Sequence, residues 1–149
     1  MDVMLFNEML AIDSTSEREG ELADFLVGRL KTEHNEVKRF EGVQNVMVSW
    51  GQPRVVFCTH LDTVPPYIGP EVDGGIPLRK EEYVKSKLRG RGTCDAKGQI
   101  FAMWEACKVL EAKGYDGFGL LLLAGEETGS FGAKAFRDQH PGAEWVIVG

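Results

Sequence analysis

The sequence predicts an α/β fold: a mostly parallel sheet sandwiched by helices. Three observations predict it. Short runs of β-formers, Val55 to Cys58, Gly119 to Ala124 and Trp145 to Gly149, are apolar at successive positions, as strands covered on both faces are. Segments of helical period lie between them, so strand and helix alternate as they do in a parallel sheet with crossovers. With 149 residues, 43% hydrophobic and 27% charged, the chain has the composition of a soluble domain with a sizeable core.

Taken in order, Val3 to Ile12 is apolar at Met4, Leu5, Met9 and Ile12, a helical spacing. Asp13-Ser-Thr-Ser16 breaks it. Ser16 with Glu19 has the form of a capping box for a second helix, whose stripe is Leu22, Phe25, Leu26 and Leu30 and whose end lies near Lys31 to Thr32. Glu36 to Phe40 and Asn45 to Trp50 predict two strands joined through Glu41-Gly42, an antiparallel edge. Gly51-Gln-Pro53 turns the chain into the strand at Val55. Residues 65–92 read as a long surface loop: they carry Pro65, Pro66, Pro70 and Pro77, the pair Gly74-Gly75 and the run Arg79-Lys-Glu-Glu82, with a short strand near Tyr83 to Leu88. A long helix is predicted from Gln99 to Lys113, with the stripe Ile100, Met103, Trp104, Cys107 and Leu110 and with Gly114 as its stop. Phe131 to Asp138 predicts another helix. The Trp and Phe residues on helices read as core, and His34 and His140 as solvent-facing.

A net charge of −6 without a basic stripe argues against nucleic acid or an anionic membrane as partner. Three cysteines without a CxxC pairing point to a reduced, cytoplasmic protein, with Cys58 and Cys107 in apolar settings and Cys94 buried or half-buried. The amino terminus lacks the form of a signal peptide. No window reaches the roughly 18 apolar residues of a membrane span.

Three places carry chemistry. The strand from Val55 ends abruptly in His60-Leu-Asp62, at the strand end where ligands collect in open α/β sheets. An imidazole there can offer a nitrogen to a metal while a neighbouring carboxylate accepts the other ring N–H. Asp95 follows a glycine-rich approach and opens a helix. Glu126 and Glu127 end the strand that runs from Gly119. Adjacent residues point different ways, so one carboxylate of the pair can bind metal while the other stays free as a general base. One imidazole with several hard oxygens suits Zn²⁺, Co²⁺ or Mn²⁺. Each feature also has a purely structural account: a solvated His-x-Asp, a helix cap at Asp95, or an acidic pair set against a helix dipole. The glycine run 90–98 lacks the Walker spacing, and no G-x-S-x-G elbow is present.

His60-Leu-Asp62-Thr-Val-Pro, Gly90-Arg-Gly-Thr-Cys-Asp95-Ala-Lys-Gly and Ala124-Gly-Glu126-Glu127-Thr-Gly together resemble the acetylornithine deacetylase and succinyl-diaminopimelate desuccinylase family. These are two-zinc amidohydrolases that include carboxypeptidases and aminoacylases. The resemblance implies that His60 binds one zinc, that Asp62 orients it, that Asp95 bridges two metals, that Glu127 binds the second and that Glu126 is the general base. It implies a cis peptide after Asp95. The family's next carboxylate ligand, its last His and its dimerising lid domain have no counterpart here. The chain, residues 1–149, is therefore expected to be the amino-terminal portion of a larger catalytic domain, holding only His60, Asp95 and Glu127 as ligands. The expected activity is hydrolysis of an N-acyl amino acid of the acetylornithine type. A dipeptidase or aminopeptidase, or an inactive fragment that only binds a partner, is the alternative.

Overall fold

The computed structural model describes residues 2–40, 42–73, 87–137 and 142–149. Helix α1, Val3–Ala11, starts where the Asp2 carboxylate accepts the Leu5 N–H at 3.2 Å, and it buries Leu5, Met9 and Leu10. Helix α2, Gly20–Arg29, buries Leu22, Ala23 and Leu26. The expected capping box is absent. Glu19 sits at the N-cap with helical backbone and makes no side-chain cap bond, because it and Ser16 are both engaged elsewhere. Helix α3, Lys97–Ala112, begins two residues earlier than predicted and buries Ile100, Phe101, Trp104 and Cys107. Gly114 terminates it with positive φ, as its sequence position suggests.

Five strands form the main sheet: β1 Glu36–Phe40, β2 Asn45–Trp50, β3 Val55–His60, β6 Phe118–Leu123 and β7 Trp145–Val148. Their order is β1-β2-β6-β3-β7. β2 is antiparallel to β1 and β6, whereas β3 is parallel to β6 and β7. Four strands thus run one way and only β2 is reversed, which matches the predicted mostly parallel sheet with an antiparallel hairpin at one edge. A two-stranded ribbon, β4 Glu71–Val72 with β5 Leu88–Arg89, ties the long loop together at its base. Most of the predicted strand near Tyr83 lies outside the described residues, as do Asp138 and His140. His34 is exposed.

One face of the sheet meets α1, α2 and α3 in a core of Leu5, Met9, Leu26, Val48, Trp50, Ile100, Trp104 and Leu120. Trp50 stacks on Phe118 with ring centroids 4.5 Å apart and lies 6.0 Å from Trp104. Each such fully buried side chain contributes about 1.5–3 kcal/mol. The other face carries a smaller cluster in which helix α4, Phe131–Phe136, lays Phe136 on Met47, Val56, Cys58 and Leu121. Gly119 lets the strands pack closely there, since a Cβ would stand 3.0 Å from the Val48 carbonyl oxygen and would push the Met47 side chain aside. Among the described residues no helix is long and apolar enough to cross a membrane.

Three further sequence-based expectations fail. Cys94 is exposed, in the turn that precedes α3. Phe131, at the first turn of α4, is exposed as well. β7 pairs with β3 as a strand should, but Val148 is 73% exposed where a buried strand is predicted. An apolar edge invites pairing between chains. Val148→Lys is expected to reduce concentration-dependent light scattering while changing stability by less than about 0.5 kcal/mol. A loss of several kcal/mol in chemical denaturation would contradict the exposure of β7.

Candidate metal centre

Parallel pairing of β3 with β6 puts His60 opposite Leu123, so the polar segments that follow both strands emerge side by side. The register continues one step further as the Leu61 N–H donates to the Leu123 carbonyl at 2.7 Å. Asp62 follows, fully buried. Its Oδ1 accepts the Glu126 N–H at 2.9 Å, and its Oδ2 accepts the Glu127 N–H at 3.1 Å and the Ser16 hydroxyl at 3.0 Å. His60 Nδ1 donates to the Asp62 main-chain carbonyl at 2.9 Å and lies 3.4 Å from the carboxylate. The expected orientation of His60 by Asp62 is thus made mainly through backbone, while the carboxylate is aimed at the turn after β6. Burial works to raise the Asp62 pKa, but His60 and the three donors outweigh it and hold the carboxyl below its usual value.

Asp95 arrives from the opposite side. The turn before α3 is closed by the Gly98 N–H donating to the Gly92 carbonyl at 3.1 Å, and a Cβ on Gly98 would lie 2.1 Å from the Thr93 carbonyl oxygen. The Asp95–Ala96 peptide is cis. Lys97 is fully buried and donates to the Ile12 carbonyl at 2.6 Å, joining the start of α3 to the end of α1. Burial pulls its pKa down to about 8 against the opposing pull of Asp13.

The outcome is that His60, Asp95 and Glu127 each bring a donor atom within 4.8 Å of the others. Glu126 stays outside that group, more exposed than its neighbour on the same turn. Of the acidic pair, Glu127 alone belongs to the group. Burial first, then the Asp95 charge, raises the Glu127 pKa.

The donor set fits a cation. The Asp62 carbonyl can only accept, so the His60 Nδ1 must carry a hydrogen, and the lone pair of a neutral ring then lies on Nε2. Nε2 stands 2.8 Å from the Asp95 Oδ1, which also has only lone pairs to offer when ionised. Two lone pairs at that distance require something positive between them, a proton or a metal ion. Burial works against the proton, yet the Asp62 and Asp95 carboxylates lift the His60 pKa to about 9. An imidazole nitrogen and two carboxylate oxygens are the ligand chemistry of Zn²⁺, with Co²⁺ and Mn²⁺ as substitutes.

Four residues of this framework were not picked out as part of the site from sequence. Glu19, buried, accepts the Gly125 N–H at 3.1 Å. Ser16 reaches Asp62. Asn45, fully buried at the start of β2, accepts the Ala124 N–H at 2.9 Å and donates to the Gly132 carbonyl at 2.9 Å. Lys97 is the fourth. The S-x-x-E spacing of Ser16 and Glu19 was visible, but it is identical to that of a helix cap.

Proton and metal compete for His60 Nε2. Apparent zinc affinity is expected to rise about tenfold per pH unit from pH 6.5 towards 9 and to level off above it, with about one proton released per ion near pH 7. Calorimetry in buffers of different ionisation heat reads the proton; affinity independent of pH would contradict the arrangement. Asp62→Asn leaves one turn N–H facing an amide NH₂. It is expected to cost about 2–4 kcal/mol in denaturant titration, as loss of hydrogen bonds to a buried charge does.

Comparison with known proteins gives the chain a family. The model of Peptidase family M20/M25/M40 matches residues 56–149. A probable carboxypeptidase of Aspergillus clavatus is 33% identical over 141 residues, covering 87% of this chain and 33% of that protein. The LysW-lysine/LysW-ornithine hydrolase of Sulfurisphaera tokodaii is 32% identical over 99 residues, 66% of this chain and 25% of the relative. Among solved structures, aminopeptidase PepT from Bacillus cereus superposes with a TM-score of 0.74 at 25% identity, over 98% of this chain and 42% of that one. Human carnosine dipeptidase 1 shares the fold at a TM-score of 0.73 and 20% identity, over 98% and 37% of the two chains. The chain spans about a third of the length of the curated relatives it matches. Matched over well more than half its residues, and with three motifs placed at one sheet end, this chain belongs to peptidase family M20/M25/M40.

Proposed function

We propose that this chain is the amino-terminal portion of a metallohydrolase catalytic domain that cleaves an amide bond in a small N-acyl amino acid or short peptide. The observation that carries the proposal is the convergence of His60 Nε2, Asp95 and Glu127, with an imidazole nitrogen and a carboxylate oxygen 2.8 Å apart. These three residues would hold the cation. Zinc bound there supplies Lewis acidity that polarises the amide carbonyl and makes water easier to deprotonate.

The chain's own groups do the rest. The Asp62 main-chain carbonyl fixes the His60 tautomer, and the Asp62 carboxylate fixes the turn from which Glu127 projects. Glu126, on the same turn but outside the ligand group, takes a proton from the attacking water and passes it to the leaving amine. The names of the relatives, a probable carboxypeptidase and a LysW-lysine/LysW-ornithine hydrolase, support a peptide or an amino-acid conjugate as substrate. Within that class, an N-acyl amino acid of the acetylornithine type and a dipeptide are separated by a substrate panel.

Turnover is measured on the longest natural form of the protein. Glu126→Gln is expected to lower kcat by about 10²–10⁴-fold while bound zinc, read by atomic absorption, is unchanged. Unchanged turnover with the metal retained would refute the role of Glu126. Stoichiometric zinc without hydrolysis of any panel member would favour a binding module over an enzyme.

A further inference from the structure

The segment between α1 and α2 is built into the metal centre, although it contributes no metal ligand. Four consecutive N–H groups, Ala124 to Glu127, are each taken by a side-chain oxygen from a distant part of the chain. Asn45 takes the first, Glu19 the second and Asp62 the last two. Glu19 is 4% exposed. A buried carboxylate is costly unless its hydrogen bonds need it, and a helix cap would need no such burial. Ser16 donates to the same Asp62 oxygen that accepts the Glu127 N–H.

The backbone of this segment is fastened as well. The Thr63 N–H donates to the Ser14 carbonyl at 3.0 Å, and the Ser16 N–H donates to the Thr63 carbonyl at 3.1 Å. The Ser14 hydroxyl donates to the Leu61 carbonyl at 2.9 Å. Residues 14–16 therefore run alongside residues 61–63, and the position of α2 is tied to that of the turn that carries Glu126 and Glu127.

We propose that Ser16 and Glu19 are positioning residues of the metal centre: Ser16 sets the Asp62 carboxylate and Glu19 sets Gly125, and together they hold the Glu127 carboxylate where it faces His60 and Asp95. The proposal rests on the reading of Glu127 as a ligand. Partners of this kind are worth about 10–100-fold in metal affinity.

The test compares zinc affinity, by chelator competition on the longest natural form of the protein, with amide hydrogen exchange of Gly125 to Glu127 in the absence of metal. Ser16→Ala and Glu19→Ala are expected to weaken zinc binding about tenfold or more and to speed exchange at those amides, leaving the β6 amides protected. Ser16→Thr and Glu19→Gln keep the hydroxyl and the acceptor oxygen, and are expected to stay within about threefold of the unsubstituted chain. Alanine variants that bind zinc as tightly as the unsubstituted chain would overturn the proposal, whatever happens to their melting temperatures. So would unaltered exchange at the turn. An unsubstituted chain that binds no zinc would sink the proposed function, while the exchange measurement would still decide whether Ser16 and Glu19 brace the turn.

Discussion

The site depends on burying one carboxylate. Asp62 has no exposed surface, and a naked carboxylate in that place would cost several kcal/mol. The fold answers with donors drawn from separate stretches of chain: the Ser16 hydroxyl and the consecutive N–H groups of Glu126 and Glu127, with the His60 ring alongside. Satisfying Asp62 therefore brings together the loop after α1, the end of β3 and the turn after β6. The positions of His60 and Glu127 follow from hydrogen bonds made by a residue that lies outside the three-donor group.

Sheet topology makes that solution available. β3 and β6 are neighbours and run the same way, so their carboxyl ends coincide. β2 is reversed, and its first residue, Asn45, consequently reaches the same end of the sheet, where it holds both ends of the 124–132 turn. Gly132 serves the same purpose sterically: a Cβ there would stand 2.3 Å from the Asn45 Oδ1 and 2.5 Å from the Ala124 carbonyl oxygen. Asp95 comes from the turn that leads into α3, and α3 packs on the sheet face that also holds α1 and α2. One polar end of an otherwise apolar sheet thus gathers an imidazole and the carboxylates, with His60 buried and Asp95 exposed beside it.

Much of this was legible in the sequence. The runs at Val55 and Gly119 are too apolar for a half-exposed strand, and each stops at an ionisable group, so the strand ends and their chemistry could be read together. That only one carboxylate of the Glu126–Glu127 pair would join the cluster could be read from adjacency. What could not be read was long-range. Ser16 lies 46 positions from Asp62 and Glu19 lies 106 from Gly125, and a local pattern cannot distinguish a hydrogen bond across the fold from a helix cap three residues away. Asn45 looked like the start of a strand because its partners are 79 and 87 residues distant. Trp145 to Val148 has the composition of a covered strand although its residues are exposed here, since composition does not say what covers it.

The most direct test of the claim that these strand ends form one cation site is anomalous diffraction at the zinc edge from crystals of the chain grown with zinc. The account predicts a peak about 2.0–2.2 Å from His60 Nε2 and from one oxygen each of Asp95 and Glu127. Zinc bound elsewhere, or His60 and Glu127 turned away from each other with no peak between them, would contradict it.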